Sequence, residues 1–347
     1  MSRYFNERYA SLEAYVPGEQ PKGEFIKLNA NENPYPPSAG VLEAVCSADG
    51  LALNMYPDAA CRALDAALAE ALGVGTENIL CANGSDDILN FCFMAFGANG
   101  ALFPEITYGF YEVFCALHGI KERRAPMHEG LTLDPADYFD AHSLVVIANP
   151  NAQTGVEMQQ SGIEEIARRN PDSVVVVDEA YVAFGGTSAL PLTKKYPNVL
   201  VVRTFSKSRS MAGTRLGFAV GSAELIDDLR RLKYSTNPYS VNRTALFAGV
   251  AAVRDSAYYE ANCAKIAETR DKFAAALKSR GWSLTDSKAN FVLAKPAKGT
   301  APDIAAALKQ RGILVRYLGG ALSDYLRITM GTPEQMETLI KALDEIM

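Results

Sequence analysis

From about residue 58 the chain alternates between two hydrophobic rhythms. Short apolar runs at 78–81, 101–103, 143–148, 173–177, 199–203 and 216–220 have the pattern of strands buried on both faces. At 58–72 and 86–96 apolar residues recur every three or four positions, which predicts helices with one buried side. Strands and helices in alternation predict an α/β fold with a largely parallel sheet covered on both faces. Beyond about 222 helices dominate, at 223–234, 241–252 and 256–280. A strand, helix, strand, strand, helix series follows at 290–294, 305–311, 314–316, 325–329 and 333–346, which suits a smaller α+β domain. Residues 1–40, rich in Pro, Asn and Tyr, read as an arm of little regular structure that packs with the small domain. The expected division is therefore an arm over 1–40, a large domain over 41–245 and a small domain over 246–347.

Composition narrows the classes. A chain of 347 residues can bury more than one core, and its 48% apolar and 21% charged residues are those of an ordinary globular protein. The net charge of −6, without a block of like charge, gives no footing for nucleic-acid binding. No run approaches the roughly 18 apolar residues that cross a bilayer, so no membrane association is expected. His118, His128 and His142 lack ligand spacing to a cysteine or carboxylate, so no metal is expected. Six cysteines without a Cys-x-x-Cys, behind a polar N-terminus, read as reduced thiols of a cytoplasmic protein.

The chemistry gathers after three of the strands. Val199-Leu200-Val201-Val202 leads into Thr204-Phe205-Ser206-Lys207-Ser208-Arg209-Ser210-Met211-Ala212-Gly213-Thr214-Arg215-Leu216-Gly217, and Val174–Val177 ends in Asp178-Glu179-Ala180-Tyr181. Asn83-Gly84-Ser85-Asp86-Asp87 follows a strand and opens a helix, so its backbone N–H groups suit an anion. Alone, each piece has an ordinary explanation: a loop lysine is usually solvated, and Ser85 or Asp86 is an ordinary helix cap. Together they supply an amine, a carboxylate, a phenol, hydroxyls and a guanidinium near the C-terminal edge of a parallel sheet, where α/β proteins bind ligands. Pyridoxal phosphate needs that set.

The Lys207 segment resembles the lysine motif of the fold-type I pyridoxal-phosphate-dependent aminotransferases. Asp178–Tyr181 is similar to that family's second motif, and Asn149-Pro150-Asn151-Ala152-Gln153-Thr154-Gly155 to its Asn-Pro-x-x-Pro-Thr-Gly motif, in the family's order and with similar gaps. The resemblance implies a mostly parallel seven-stranded sheet sandwiched by helices, with the cofactor held by the large domain. It implies that Lys207 is the Schiff-base lysine and proton shuttle, that Asp178 faces the ring nitrogen and that Tyr181 faces the ring oxygen. Gly84, Ser85, Asp86, Thr204, Ser206 and Arg215 would surround the phosphate, and Tyr108 would stack on the ring. The third motif departs from the family: Ala152 stands where its asparagine belongs, which leaves Asn151 as the nearest replacement at the ring oxygen.

Further stretches, Leu28-Asn29-Ala30-Asn31-Glu32-Asn33-Pro34, Tyr15-Val16-Pro17-Gly18, Tyr56-Pro57, Leu314-Val315-Arg316-Tyr317 and Leu326-Arg327-Ile328-Thr329-Met330-Gly331, resemble the histidinol-phosphate aminotransferases. That resemblance implies ping-pong amino transfer between histidinol phosphate and 2-oxoglutarate in histidine biosynthesis. Arg327 would hold the anionic end of each substrate, with Tyr15, Asn31, Tyr56 and Arg316 beside it, Tyr56 reaching in from the other subunit of a homodimer. Two rivals share the scaffold, a threonine-phosphate decarboxylase and an aromatic-amino-acid transaminase. Outside enzymes the rival is a cofactor-binding regulatory protein, against which the intact lysine argues.

Overall fold

The computed structural model describes residues 2–10, 12 and 18–347. Its strands in chain order are β1 (Ile26–Leu28), β2 (Ile79–Ala82), β3 (Ala101–Pro104), β4 (Glu122–Ala125), β5 (Leu144–Ala148), β6 (Val175–Asp178), β7 (Val199–Thr204) and β8 (Gly217–Val220), then β9 (Ser283–Leu284), β10 (Phe291–Lys295), β11 (Ile313–Tyr317) and β12 (Leu326–Thr329).

One sheet of seven strands has the order β2-β8-β7-β6-β5-β3-β4. Only β8 runs antiparallel to its neighbours. The unbroken valine runs follow from burial on both faces. Val146, Val176, Leu200 and Val202 pack with Phe91, Phe93 and Ile226 on one side, while Val145, Val175, Val199 and Val201 pack with Ile163 and Ile166 on the other. A strand with water on one side would have alternated polar and apolar residues. The helices between the strands carry stripes at the expected spacing: Arg62–Leu72 buries Leu64, Leu68 and Ala69, and ends at Gly73 in the left-handed region.

The second sheet, β1-β11-β12-β10-β9, is antiparallel except where β1 joins β11. Its strands lie at 283–329, apart from β1, which comes from the N-terminal stretch read as an irregular arm. One apolar cluster, from Leu28 and Leu80 through Ile226 and Phe291 to Leu343, runs beneath both sheets.

Two differences from the sequence reading have plain causes. β4 is Glu-Arg-Arg-Ala on the edge of the large sheet, with Arg123 and Arg124 exposed, so it has no apolar rhythm to reveal it. The division expected at 245/246 falls inside the helix Arg243–Arg254. That helix packs Ala245, Ala248, Ala252 and Val253 with Leu64, Ile79 and Phe218, residues of the large unit's second core. Among the described residues no helix is long and apolar enough to cross a membrane.

Candidate active site

The C-terminal ends of β6 and β7 and the turn after β2 open into one cavity of about 250 Å³. Ser85, Asp86, Tyr108, Asp178, Tyr181, Thr204, Ser206, Lys207 and Arg215 line it, together with Ala152 from the third motif and Ala30 and Glu32 from the N-terminal segment. Nine residues singled out from four separate stretches thus share one wall.

Lys207 follows β7 in a loop held by backbone bonds from Phe205 to Leu216 and from Met211 to Phe205. Its ammonium donates to the Ala30 carbonyl at 3.2 Å and lies 5.9 Å from the centre of the Tyr181 ring. Its own carbonyl accepts from the Asn33 amide at 2.9 Å. Asp178, the last residue of β6, is 4% exposed. The Tyr111 hydroxyl donates to its Oδ2 at 2.8 Å, and the Ala180 N–H to its Oδ1 at 3.2 Å. Burial pushes this carboxyl up to about 6 against the pull of those two donors, and the negative charges of Asp86 and Glu179 push the same way. The Tyr111 hydroxyl is itself held protonated by burial and by Asp178, so it stays a donor.

The opposite end of the cavity is built for an anion. The helix Ser85–Phe96 begins there behind Gly84, whose φ of 89° suits glycine and whose Cβ would stand 3.0 Å from Arg215 Nη2. Gly217 faces the same turn; a Cβ there would meet the Ser85 nitrogen at 2.4 Å. The Thr204 hydroxyl donates to Ser206 Oγ at 2.9 Å and accepts from the Ser206 N–H at 3.1 Å. Arg215 pairs with Asp86 at 3.0 Å, and the Tyr108 hydroxyl donates to the other oxygen of Asp86 at 2.9 Å.

Other expected residues lie outside this wall. Asn151 is fully buried behind it: its amide donates to the Ile106 carbonyl at 2.8 Å, and its Oδ1 accepts from the N–H groups of Gln153 and Thr154. Those bonds make it a turn residue, not the neighbour of a ring oxygen. Asn31, expected at the substrate, instead donates to the Tyr181 hydroxyl at 3.0 Å and is gripped by Thr329 and Asn290. Arg327 lies over the Phe291 ring and donates to the Ala152 carbonyl at 3.2 Å, so it adjoins the cavity through that residue. Arg316 is its register partner across β11 and β12, which sets two arginines side by side at that end. Tyr56 is 78% exposed, stacked on Tyr239 at 4.6 Å, and is not part of its own chain's cavity wall. Tyr15 lies outside the described residues.

Sequence reasoning missed Tyr111, the donor to Asp178, and Asn33, which holds the lysine's carbonyl. Tyr111 sits in an aromatic run on the helix Phe110–His118, and nothing local distinguishes it from a core residue. Asn33 stood in a motif already noted, two residues beyond Asn31.

The donor set fits pyridoxal phosphate. A buried carboxylate with a raised pKa favours a cation beside it, as a protonated pyridine nitrogen would be, and the glycine-lined helix start with Arg215 and two hydroxyls suits a dianion. The model for the aminotransferase class I and II family matches residues 23–343. The histidinol-phosphate aminotransferase of Brachyspira hyodysenteriae is 43% identical over 100% of this chain and 99% of its own length. The solved histidinol-phosphate aminotransferase of Sinorhizobium meliloti, in complex with pyridoxal-5'-phosphate, superposes with a TM-score of 0.88 over 100% of this chain and 98% of that one, at 25% identity. L-threonine-O-3-phosphate decarboxylase from Porphyromonas gingivalis has a TM-score of 0.83 over 92% of this chain and 99% of that one; its 22% identity carries the shared fold alone. Identity of the first kind, sustained along the whole chain, reflects common descent: this protein belongs to the class I and II aminotransferases, in the histidinol-phosphate aminotransferase family.

Proposed function

We propose that the protein transfers the amino group of histidinol phosphate to 2-oxoglutarate, as a cytoplasmic homodimer. The observation that carries the substrate reading is the pair Arg327 and Arg316, set in register beside a cavity that already has a separate anion cradle. One anion end is accounted for by the cofactor's phosphate; the second requires a substrate that is itself anionic. A planar guanidinium forks to a carboxylate or a phosphate, so 2-oxoglutarate and histidinol phosphate can take turns at Arg327.

Bound pyridoxal phosphate supplies the electron sink that makes the substrate's α-hydrogen acidic. The protein's part is positional and acid–base. Lys207 Nζ, at the cavity wall, would hold the cofactor covalently and would serve as the base that moves the substrate's α-proton. Asp178 keeps the pyridine nitrogen protonated, with Tyr111 aiming its carboxylate. Tyr181, oriented by Asn31, would donate to the ring oxygen, and Tyr108, on the same cavity wall, would pack against the ring. The backbone N–H groups of Ser85 and Asp86 behind Gly84, the hydroxyls of Thr204 and Ser206 and the Arg215 guanidinium would hold the phosphate.

A patch of exposed apolar residues supports the dimer: Leu42, Leu51, Leu53, Met55 and Tyr56, with Tyr239 under Tyr56, are between 44% and 78% exposed. Beside it a cavity of about 720 Å³ is lined by Pro57, Leu246 and Phe247. Such a patch is what a second copy covers, and Tyr56, exposed within it, would be the residue given to the partner's site. Sedimentation should show a dimer, with Tyr56→Ala lowering activity; an active monomer would contradict the shared site. All six cysteines are unpaired, which agrees with a reducing compartment. The working units are taken as the arm over 1–40, a large cofactor-binding unit and a small unit, with their junction in the long helix Ser256–Lys278.

The test is a donor panel assayed with 2-oxoglutarate. Histidinol phosphate should outperform histidinol, since the phosphate is the handle. Arg327→Ala should reduce kcat/KM about ten- to a hundredfold for histidinol phosphate and for glutamate alike, the effect of losing a charged hydrogen bond of about 1.5–3 kcal/mol. Release of carbon dioxide from threonine phosphate without amino transfer would make the protein a lyase. Equal use of aromatic donors without phosphate would make it a broad aromatic transaminase.

A further inference from the structure

The Tyr181 hydroxyl accepts from the Asn31 amide nitrogen at 3.0 Å and, among the described residues, donates to none. Its proton is left for the cavity that Tyr181 lines. Thr329 fixes this arrangement. Its buried hydroxyl accepts the Asn31 backbone N–H at 3.0 Å and sends its own proton to Asn31 Oδ1, also at 3.0 Å. With the amide turned over, the Thr329 proton would lack an acceptor and the Tyr181 proton would be drawn onto Asn31 Oδ1. Asn31 has little freedom of its own: it is 1% exposed, and its carbonyl accepts from the Asn290 amide at 3.0 Å. Its φ of 54° lies in the left-handed region, which a residue other than glycine keeps only where its surroundings over-determine it. The Tyr181 ring is fixed as well, edge to face with Phe291 at 5.2 Å between centres. Ala152, on the same wall, has no side-chain donor, and Asn151 is spent in its own turn, so of these three residues Tyr181 alone can serve a ring oxygen.

We propose that Thr329 is a positioning residue for the cofactor's ring oxygen: acting through Asn31, it holds the Tyr181 hydroxyl as a donor whose proton is kept for that oxygen. The inference rests on the reading of Tyr181 as the ring-oxygen donor. A donor takes up part of the oxygen's negative charge and weakens its hold on a proton, so the relay is felt as a lowered pKa of the bound cofactor. Thr329 ends β12 and Asn31 follows β1, so the small sheet reaches the cofactor through these two side chains.

The experiment titrates the absorption of the bound cofactor against pH in the native holoenzyme, T329V, T329S, Y181F and the double variant T329V/Y181F. T329V keeps the shape of the side chain without its hydroxyl and frees the Asn31 amide to turn over. The pKa read from the absorption should then rise about one unit, the effect of weakening one hydrogen bond to a charged group. T329S keeps the hydroxyl and should titrate as the native enzyme does. Y181F should raise the pKa at least as far as T329V, and the double variant no further than Y181F, because a relay that ends at Tyr181 has nothing left to act through. The charged groups on the cavity wall, Glu32, Asp86, Asp178, Lys207 and Arg215, are the same in every variant, so the differences report the relay. A shift in Y181F with none in T329V would overturn the proposal and leave Tyr181 its role. No shift in Y181F would remove the reading of Tyr181 and the proposal with it. Additive shifts in the double variant would also overturn it, since Thr329 would then act by another route. If T329V does not fold, T329A carries the same titration.

Discussion

Lys207→Ala should fold, bind pyridoxal phosphate without a covalent bond, and lose amino transfer. Among the described residues Nζ donates to the Ala30 carbonyl and faces the Tyr181 ring, so the substitution removes one hydrogen bond and one ring contact from the fold, a cost of about 1–2 kcal/mol. The catalytic loss is far larger. Proton transfer by a positioned group alone contributes roughly 10²- to 10⁴-fold, and the covalent attachment lost with it adds to that. The native holoenzyme should be yellow, and borohydride should fix the cofactor to the protein. Peptide mapping should find the adduct on Lys207, the lysine of the cavity wall; an adduct on any other lysine would end the assignment.

Asp178→Asn should separate catalysis from stability. Asparagine can still accept from the Ala180 N–H and can donate to the Tyr111 oxygen, so the local bonds survive. Turnover should nevertheless fall roughly a hundred- to several-thousandfold, because a buried cation that loses its partner forfeits about 3–5 kcal/mol. In the cofactor-free protein the sign reverses. The Asp178 carboxyl is pushed up from 3.8 to about 6, so it favours the folded state while protonated. That contribution is complete below the unfolded pKa and is lost as pH rises through about 6. By pH 7.5 a shift of this size amounts to about 3 kcal/mol. Cofactor-free Asp178→Asn should therefore unfold at higher denaturant than the native apoprotein at pH 7.5, and the gap should close near pH 4. Asp65, also pushed up to about 6 by burial, is common to both proteins and cancels in the comparison. Equal stability of the two apoproteins at both pH values would show that the buried charge is not felt.

The parts of this protein that were legible in its sequence are those whose cause is local. A strand buried on both sides must be apolar throughout, and a helix with one buried side must repeat at three or four, so β5, β6, β7 and the helices beside them were visible in the residues themselves. The reactive residues at the ends of those strands were visible for the same reason: the sheet delivers them together. What lay hidden depends on partners distant in sequence. The amide that meets Tyr181 belongs to Asn31, 150 residues away, whereas the local candidate, Asn151, is consumed by its own turn. Tyr111 reaches Asp178 across 67 residues from a helix face that otherwise reads as core. β4 escaped because an edge strand is under no pressure to be apolar, and the helix Arg243–Arg254 was divided because a stripe of mostly small residues does not announce which core it joins.

The grip on Asn31 also bears on when the enzyme comes into being. The residues that hold Tyr181 and the lysine loop, Asn31 and Asn33, leave the ribosome well before Thr329, which fastens Asn31 from 298 positions further along the chain. The large sheet can close from β2 to β8 while synthesis continues, yet β1 has no strand to lie against until β11 has emerged. Closing so long a loop is slow but adds little to its entropic cost beyond that of a shorter one. A nascent chain halted before β11 would thus carry Lys207 and Asp178 on a nearly finished scaffold without a finished site, so that competence is reached in a single late step, when β1 and β11 meet.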